Sequence, residues 1–90
     1  MSDPYRIEWS ASAARSMHRL PGKVIAAVAA FAEGALAESP YRVTKALRAP
    51  FLGLRSAQRG SYRVLVEIDE GMRVVRVFDV SHRADAYRPR

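Results

Sequence analysis

Between residues 59 and 69 the chain reads RGSYRVLVEID, and Tyr62, Val64, Val66 and Ile68 alternate there with Arg63, Leu65 and Glu67. A period of two residues is that of a β-strand with one buried face. The flanks constrain it further. RGS before it and DEG after it are turn-sized, and the segment beyond, MRVVRVFDV, is again rich in β-branched residues. Connections this short permit only antiparallel neighbours. With FLGLRSAQ as the strand before the first turn, the second half of the chain is expected to be a three-stranded meander, and it needs another element to cover its apolar face.

The first half supplies that cover. PYRIEW alternates Tyr5, Ile7 and Trp9 with Arg6 and Glu8, a short strand whose aromatic residues are expected in the core. In SASAARSMHRLP, Ser10 or Ser12 can cap a helix made amphipathic by Ala13, Ala14, Met17 and Leu20, and Pro21 closes it. A second helix is expected from about Gly22 to Ala37, with Val24, Val28, Phe31 and Ala35 along one stripe. The short link makes the two helices an antiparallel hairpin. ESPYRVTKALRAP, bracketed by Pro40 and Pro50, reads as a loop anchored by Val43 and Leu47. The expected fold is α+β, in the order β-α-α-β-β-β: an antiparallel sheet with an N-terminal helix hairpin packed on one face. Residues 1–90 form a single domain on this reading.

Several function classes drop out. Cysteine is absent, which removes disulfide and thiolate chemistry, and His18 and His82 are too far apart in the chain to suggest a metal site. The longest apolar stretch, KVIAAVAAFAEGALA, is interrupted by Glu33 and Gly34, so no membrane span or cofactor motif is expected and a cytoplasmic protein is. Charge is the informative total. Fifteen Lys plus Arg face nine Asp plus Glu, net +6, and all but two of the cations, Lys23 and Lys45, are arginine. The guanidinium fork fits phosphate oxygens in pairs, so a polyanion partner is expected, nucleic acid or an acidic protein. Codon bias of an arginine-rich, alanine-rich genome is the plainer explanation of the same composition.

If the even positions of the central strand face the helices, Arg63 faces the open side of the sheet. Beside the turn carrying Arg59 and the chain end carrying His82, Arg83, Tyr87 and Arg88, it would help form a concave basic cleft; the alternative is a solvated sheet face on which Arg63 pairs with Glu67 or Asp79. His18 reads as a surface or helix-interface residue. Arg15, Arg19 and Lys23 form a helix-face cluster, solvated or in contact with RNA or an acidic partner.

The element order, KALRAPFLGLRSAQRGSYRVLVEID and the closing VSHRADAYR together resemble the RelE/ParE superfamily of bacterial toxin-antitoxin toxins, and most of all its RelE branch. The resemblance covers nearly the whole chain. It implies a ribosome-dependent endoribonuclease that cuts mRNA without metal or other cofactor, by attack of a 2'-hydroxyl on the adjacent phosphate. It also implies neutralisation by a cognate antitoxin, RelB-like or Phd-like, in a complex that binds operator DNA. The positions matching the family's catalytic set are Arg63, Arg83 and Tyr87. Arg63 and Arg83 would hold nonbridging phosphate oxygens, and Tyr87 would stack on a base or take the proton. His82 is a further acid or base candidate, unless it packs or caps the strand end. Arg55, Gln58, Arg59 and Arg88 are the expected RNA contacts. Leu54, Ser56 and Gln58 depart from the pattern, because RelE-like toxins often carry cations at these positions. Arg55 and Arg59 would replace them only if a bulge or the turn redirected their side chains. The resemblance leaves two other readings, a ParE-type gyrase inhibitor and a catalytically degenerate co-repressor partner of the antitoxin.

Overall fold

The structure, a computed structural model, describes residues 3–84. Its strands are β1 (Arg6–Trp9), β2 (Lys45–Ala46), β3 (Arg55–Arg59), β4 (Tyr62–Asp69) and β5 (Val74–His82), and its helices are α1 (Ala11–His18), α2 (Gly22–Phe31) and α3 (Pro40–Val43). One five-stranded sheet has the order β1-β5-β4-β3-β2. The meander β3-β4-β5 is antiparallel as the short turns require, and β2 adds an antiparallel edge. β1 enters differently. It runs parallel to β5, its neighbour in the sheet but the most distant strand in the chain, so the sheet is mixed rather than antiparallel throughout.

Valine at alternate positions builds the core. Val64 and Val66 of β4, with Val75, Val77 and Val80 of β5, are buried against Ala13 of α1, Val28 and Phe31 of α2, and Leu36. Ser10 caps α1 by accepting from the Ala13 amide at 3.0 Å. The second helix extends as the sequence suggests but changes pitch, and Ala32–Leu36 form a π-helical turn in which the Ala37 amide bonds the Ala32 carbonyl five residues back. The wider turn lets residues five apart share a face. Phe31 and Leu36, and likewise Ala32 and Ala37, are all buried as a result.

Three expectations are corrected. The segment 39–50 is not a plain loop: Pro40 opens the short α3 and β2 follows it. The strand expected over FLGLRSAQ begins only at Arg55, because residues 50–53 turn and Gly53 takes φ +88°. Trp9 lies at the end of the edge strand β1 beside the helix hairpin, 36% exposed and lining a groove of about 330 Å³ with Met17, His18 and Ile25, so it is not a core residue. Tyr5 packs against the core and its hydroxyl donates to Glu70.

Arg55 ties α3 and β2 to the sheet. Its Nε donates to Thr44 Oγ1 at 2.7 Å and its Nη2 to the Thr44 carbonyl at 3.1 Å, while the guanidinium lies 5.2 Å from the centre of the Tyr41 ring. Thr44 in turn donates to the Pro40 carbonyl at 2.6 Å. At the same end of the sheet, Arg76 bridges Asp69 at 3.1 Å, Glu67 at 3.2 Å and Glu8 at 3.5 Å, which joins β1, β5 and β4 on the face away from the helices. Arg73 closes the β4–β5 turn in a left-handed conformation, φ 52°, with its guanidinium 4.1 Å from the centre of the Tyr5 ring.

Two carboxyls here are held below the usual range. The Met72 amide and then Arg76 lower Asp69, and the Tyr5 hydroxyl and then the Tyr41 hydroxyl lower Glu70. A depressed folded-state pKa stabilises the fold above the ordinary carboxyl value of about 4, and that contribution is lost as pH falls through the folded-state value. Thermal melts should therefore show Tm falling from about pH 6 to about pH 3, with a shallower fall in Glu70→Gln. An identical pH slope in the variant would rule Glu70 out as a contributor. Arg55→Ala should lower the unfolding free energy by about 1–3 kcal/mol in urea titrations, from the lost charged hydrogen bonds to a buried threonine.

Candidate functional site

The register assigns every candidate side chain to a face. β3 and β4 are joined by two residues, Gly60 and Ser61, and Gly60 supplies the positive φ, 57°, that so tight a reversal needs. Arg59 consequently pairs with Tyr62 and Gln58 with Arg63. On the other side of β4, Tyr62 pairs with His82 and Arg63 with Ser81. Two rows of side chains result. Arg59, Tyr62 and His82 share the face that carries Val64 and the helices, whereas Gln58, Arg63 and Ser81 share the open face.

A β-bulge in β5 sets where Arg83 falls. Leu65 pairs with Asp79 but Val66 pairs with Val77, so Phe78 is an extra residue. Val77 and Val80 thereby lie on the same face although their numbers differ by three, and the alternation beyond the bulge is reversed. Without that shift His82 would take the open face and Arg83 the helix face. The ladder continues past β5, since the Arg83 amide donates to the Ser61 carbonyl at 2.7 Å. Two residues on from Ser81, Arg83 is a diagonal neighbour of Arg63, a relation that spans roughly 7–8 Å between strand positions. Arg63 and Arg83 stand at the same end of the sheet, beside one turn.

His82 is separated from that pair. Its ring meets Tyr62 edge-on, centroids 5.4 Å apart at 83°, and its Nδ1 accepts from the Ala84 amide at 3.1 Å, the strand-end packing and capping arrangement. Arg59 lies on the helix face with its guanidinium 5.2 Å from the centre of the Phe31 ring, and Gln58 donates to the Gly60 carbonyl at 3.2 Å. Arg55 shares the helix face with Val66 and is committed to Thr44, so the structure does not bring it to Arg63. Tyr87 and Arg88 lie outside the described residues.

The departures noted in the sequence fall on the open face. Ser56 pairs with Leu65 and Gln58 with Arg63, and β3 runs without a bulge, so nothing turns Arg55 or Arg59 toward that side. Glu67 is bound by Arg76, and Asp79 accepts from Ser16 at 2.7 Å. No group of three or more His, Asp or Glu residues arranged to hold a metal ion occurs among the described residues, and none of their helices is long and apolar enough to cross a membrane. Sequence reasoning missed the convergence of Tyr5, Tyr41 and Glu70, and it missed the approach of Lys23 to Arg59, which depends on how the start of α2 meets the β3–β4 turn.

Known proteins share both the sequence and the fold. The toxin RelG of Mycobacterium tuberculosis is 45% identical over 85 residues, covering 94% of this chain and 98% of the relative. The toxin RelE of the same organism is 43% identical over 90 residues, covering 98% and 93%. A chain in the crystal structure of the RelBE2 toxin-antitoxin complex of M. tuberculosis superposes with a TM-score of 0.89 at 42% identity, over 94% of this chain and 98% of that one. The intact RelBE complex of E. coli, at 18% identity and TM-score 0.71 over 87% of this chain and 95% of that one, shares the fold. The model of the family described as the ParE toxin of type II toxin-antitoxin systems matches residues 3–87. This chain belongs to that family of type II toxins, within the RelE/ParE superfamily.

Proposed function

We propose that the chain is a ribosome-dependent endoribonuclease that cleaves mRNA and so blocks translation until an antitoxin binds it. The observation that carries this reading is the placement of Arg63 and Arg83 as diagonal neighbours on one face, beside the Gly60–Ser61 turn, in a chain so similar to toxins named RelE and RelG. RNA cleavage of this kind needs fixed positive charge where the phosphate gains negative charge. A nucleotide's 2'-hydroxyl loses its proton and attacks the adjacent phosphorus. The P–O5' bond breaks, a proton passes to the leaving 5'-oxygen, and a 2',3'-cyclic phosphate and a 5'-hydroxyl remain. Arg63 and Arg83 grip the nonbridging oxygens of the five-coordinate phosphorane, each with two donors. Tyr87 takes the proton, or stacks on the base and holds the attacking hydroxyl in line. No metal or other cofactor takes part.

The partner follows from the relatives, whose solved structures include toxin-antitoxin complexes. A RelB-like or Phd-like antitoxin is the cognate partner, and the pair binds operator DNA. The site of action is the cytoplasm, where ribosomes and message meet, and residues 1–90 act as a single domain. A second reading has one observation in its favour: the open face lacks cations at Ser56 and Gln58, where RelE-like toxins often carry them, so a toxin that binds gyrase without cutting RNA fits the same surface.

Mapping mRNA ends after incubation with programmed ribosomes separates the two. New ends bearing a 2',3'-cyclic phosphate are expected, and intact message at saturating protein, with supercoiling by gyrase inhibited, would establish the second reading instead. Arg63→Ala and Arg83→Ala should each lower kcat by about 10² to 10³, the usual cost of removing one transition-state donor. Tyr87→Phe should lower kcat by about 10² or more if the phenol takes the proton, and should leave it within about threefold if the ring only stacks.

A further inference from the structure

A groove of about 510 Å³ opens on the helix side of the Gly60–Ser61 turn, between the start of α2 and the ends of β3 and β4. Its wall includes Lys23, Val24, Arg59, Gly60, Ser61 and Tyr62, and among the described residues no carboxylate lines it. The volume is in the range of pockets that hold a small organic ligand. We propose that this groove binds RNA next to the scissile linkage, so that the message bends over the β3–β4 turn instead of ending at the open face. The inference rests on the nuclease reading given above and deepens it.

Four observations carry it. Lys23 and Arg59 come from different elements yet reach one groove, and two cations on one wall suit a phosphodiester backbone. Arg59 is held in place by Phe31, its guanidinium 5.2 Å from the ring centre, which lowers the entropy lost on binding an anion. Tyr62, with His82 edge-on behind it, offers an aromatic wall on which a base can stack. The fourth is the route. Only Gly60 and Ser61 separate the groove from the row holding Arg63, and among the described residues no neighbouring atom lies within 4 Å of where a Cβ on Gly60 would stand. Cations thus stand on both faces of one sheet end, Arg63 and Arg83 on one and Lys23 and Arg59 on the other. A polyanion wrapped over the turn meets all four.

The test uses the full-length protein with programmed ribosomes. Lys23→Ala changes an exposed side chain, and the pair Lys23→Ala with Arg59→Gln removes both charges; the single variant keeps the test valid if the pair fails to fold. KM for programmed ribosomes should rise about threefold to tenfold per cation removed while kcat holds within about twofold, and the dependence on salt should become shallower. A message with a 2'-O-methyl group at the cleavage site and 4-thiouridine beside it should crosslink to a peptide containing Lys23 or Tyr62. Unchanged KM and salt dependence in both variants, with Arg63→Ala still inactive, would overturn the groove and leave the nuclease reading standing. Loss of affinity for an acidic antitoxin peptide with no change toward RNA would assign the groove to a protein ligand and overturn it equally. Absence of cleavage by the wild type would remove both readings together.

Discussion

The register of β4 between its two neighbours is the constraint on which the rest of this structure depends. Each residue from Tyr62 to Asp69 must face either the helices or the open side, and a slip of one position would exchange all of them. Burial of Val64 and Val66 fixes the choice, because moving two valines into water and two charged groups into the core would cost several kcal/mol. The same apolar contacts that hold the sheet to its helices therefore fix Arg63 outward and Tyr62 inward. Stability and charge placement are not independent in this fold.

Charge divides the two ends of the sheet. Toward the β4–β5 turn, Arg76 is neutralised by Glu8, Glu67 and Asp69, and Glu70 gathers the hydroxyls of Tyr5 and Tyr41, so this end is tied together by internal pairs. Toward the β3–β4 turn stand Lys23, Arg59 and Arg83, all exposed, with half-buried Arg63 among them. Such an arrangement gives an approaching polyanion a preferred orientation before any contact is made. Exposed ion pairs add little to stability individually. The network at the far end is better understood as a means of keeping β1 parallel to β5 and holding carboxylates away from the basic end.

Much of this was legible in the sequence wherever one rule of periodicity applied. The alternation of β4, the two turns, the helix hairpin and the Ser10 cap all follow from local chemistry, and so does the outward position of Arg63. Reading failed where geometry depends on distant partners. Segment 39–50 looked like a loop because its structure is held by Arg55 binding Thr44 across the sheet, and no local pattern reveals such a bond. Trp9 looked like core because alternation gives a face but not how far the helices extend over it. For His82 the sequence offered either proton transfer or packing at the strand end, and only its pairing opposite Tyr62 assigns it a face, across the sheet from Arg63.

The extra residue in β5 has a further bearing on how such chains can diverge in length. Before Phe78 the strand is phased by its pairing with Val66 to Asp69, and after it by its pairing with Tyr62 to Leu65. Losing one residue well to either side of the bulge would turn the residues between it and the bulge inside out. Losing Phe78 itself would merely straighten the ladder and leave both halves facing as they do. Among descendants of one ancestor, a single-codon gap in this strand is survivable at the bulge and ruinous on either side of it, so an aligned gap there is compatible with an intact site.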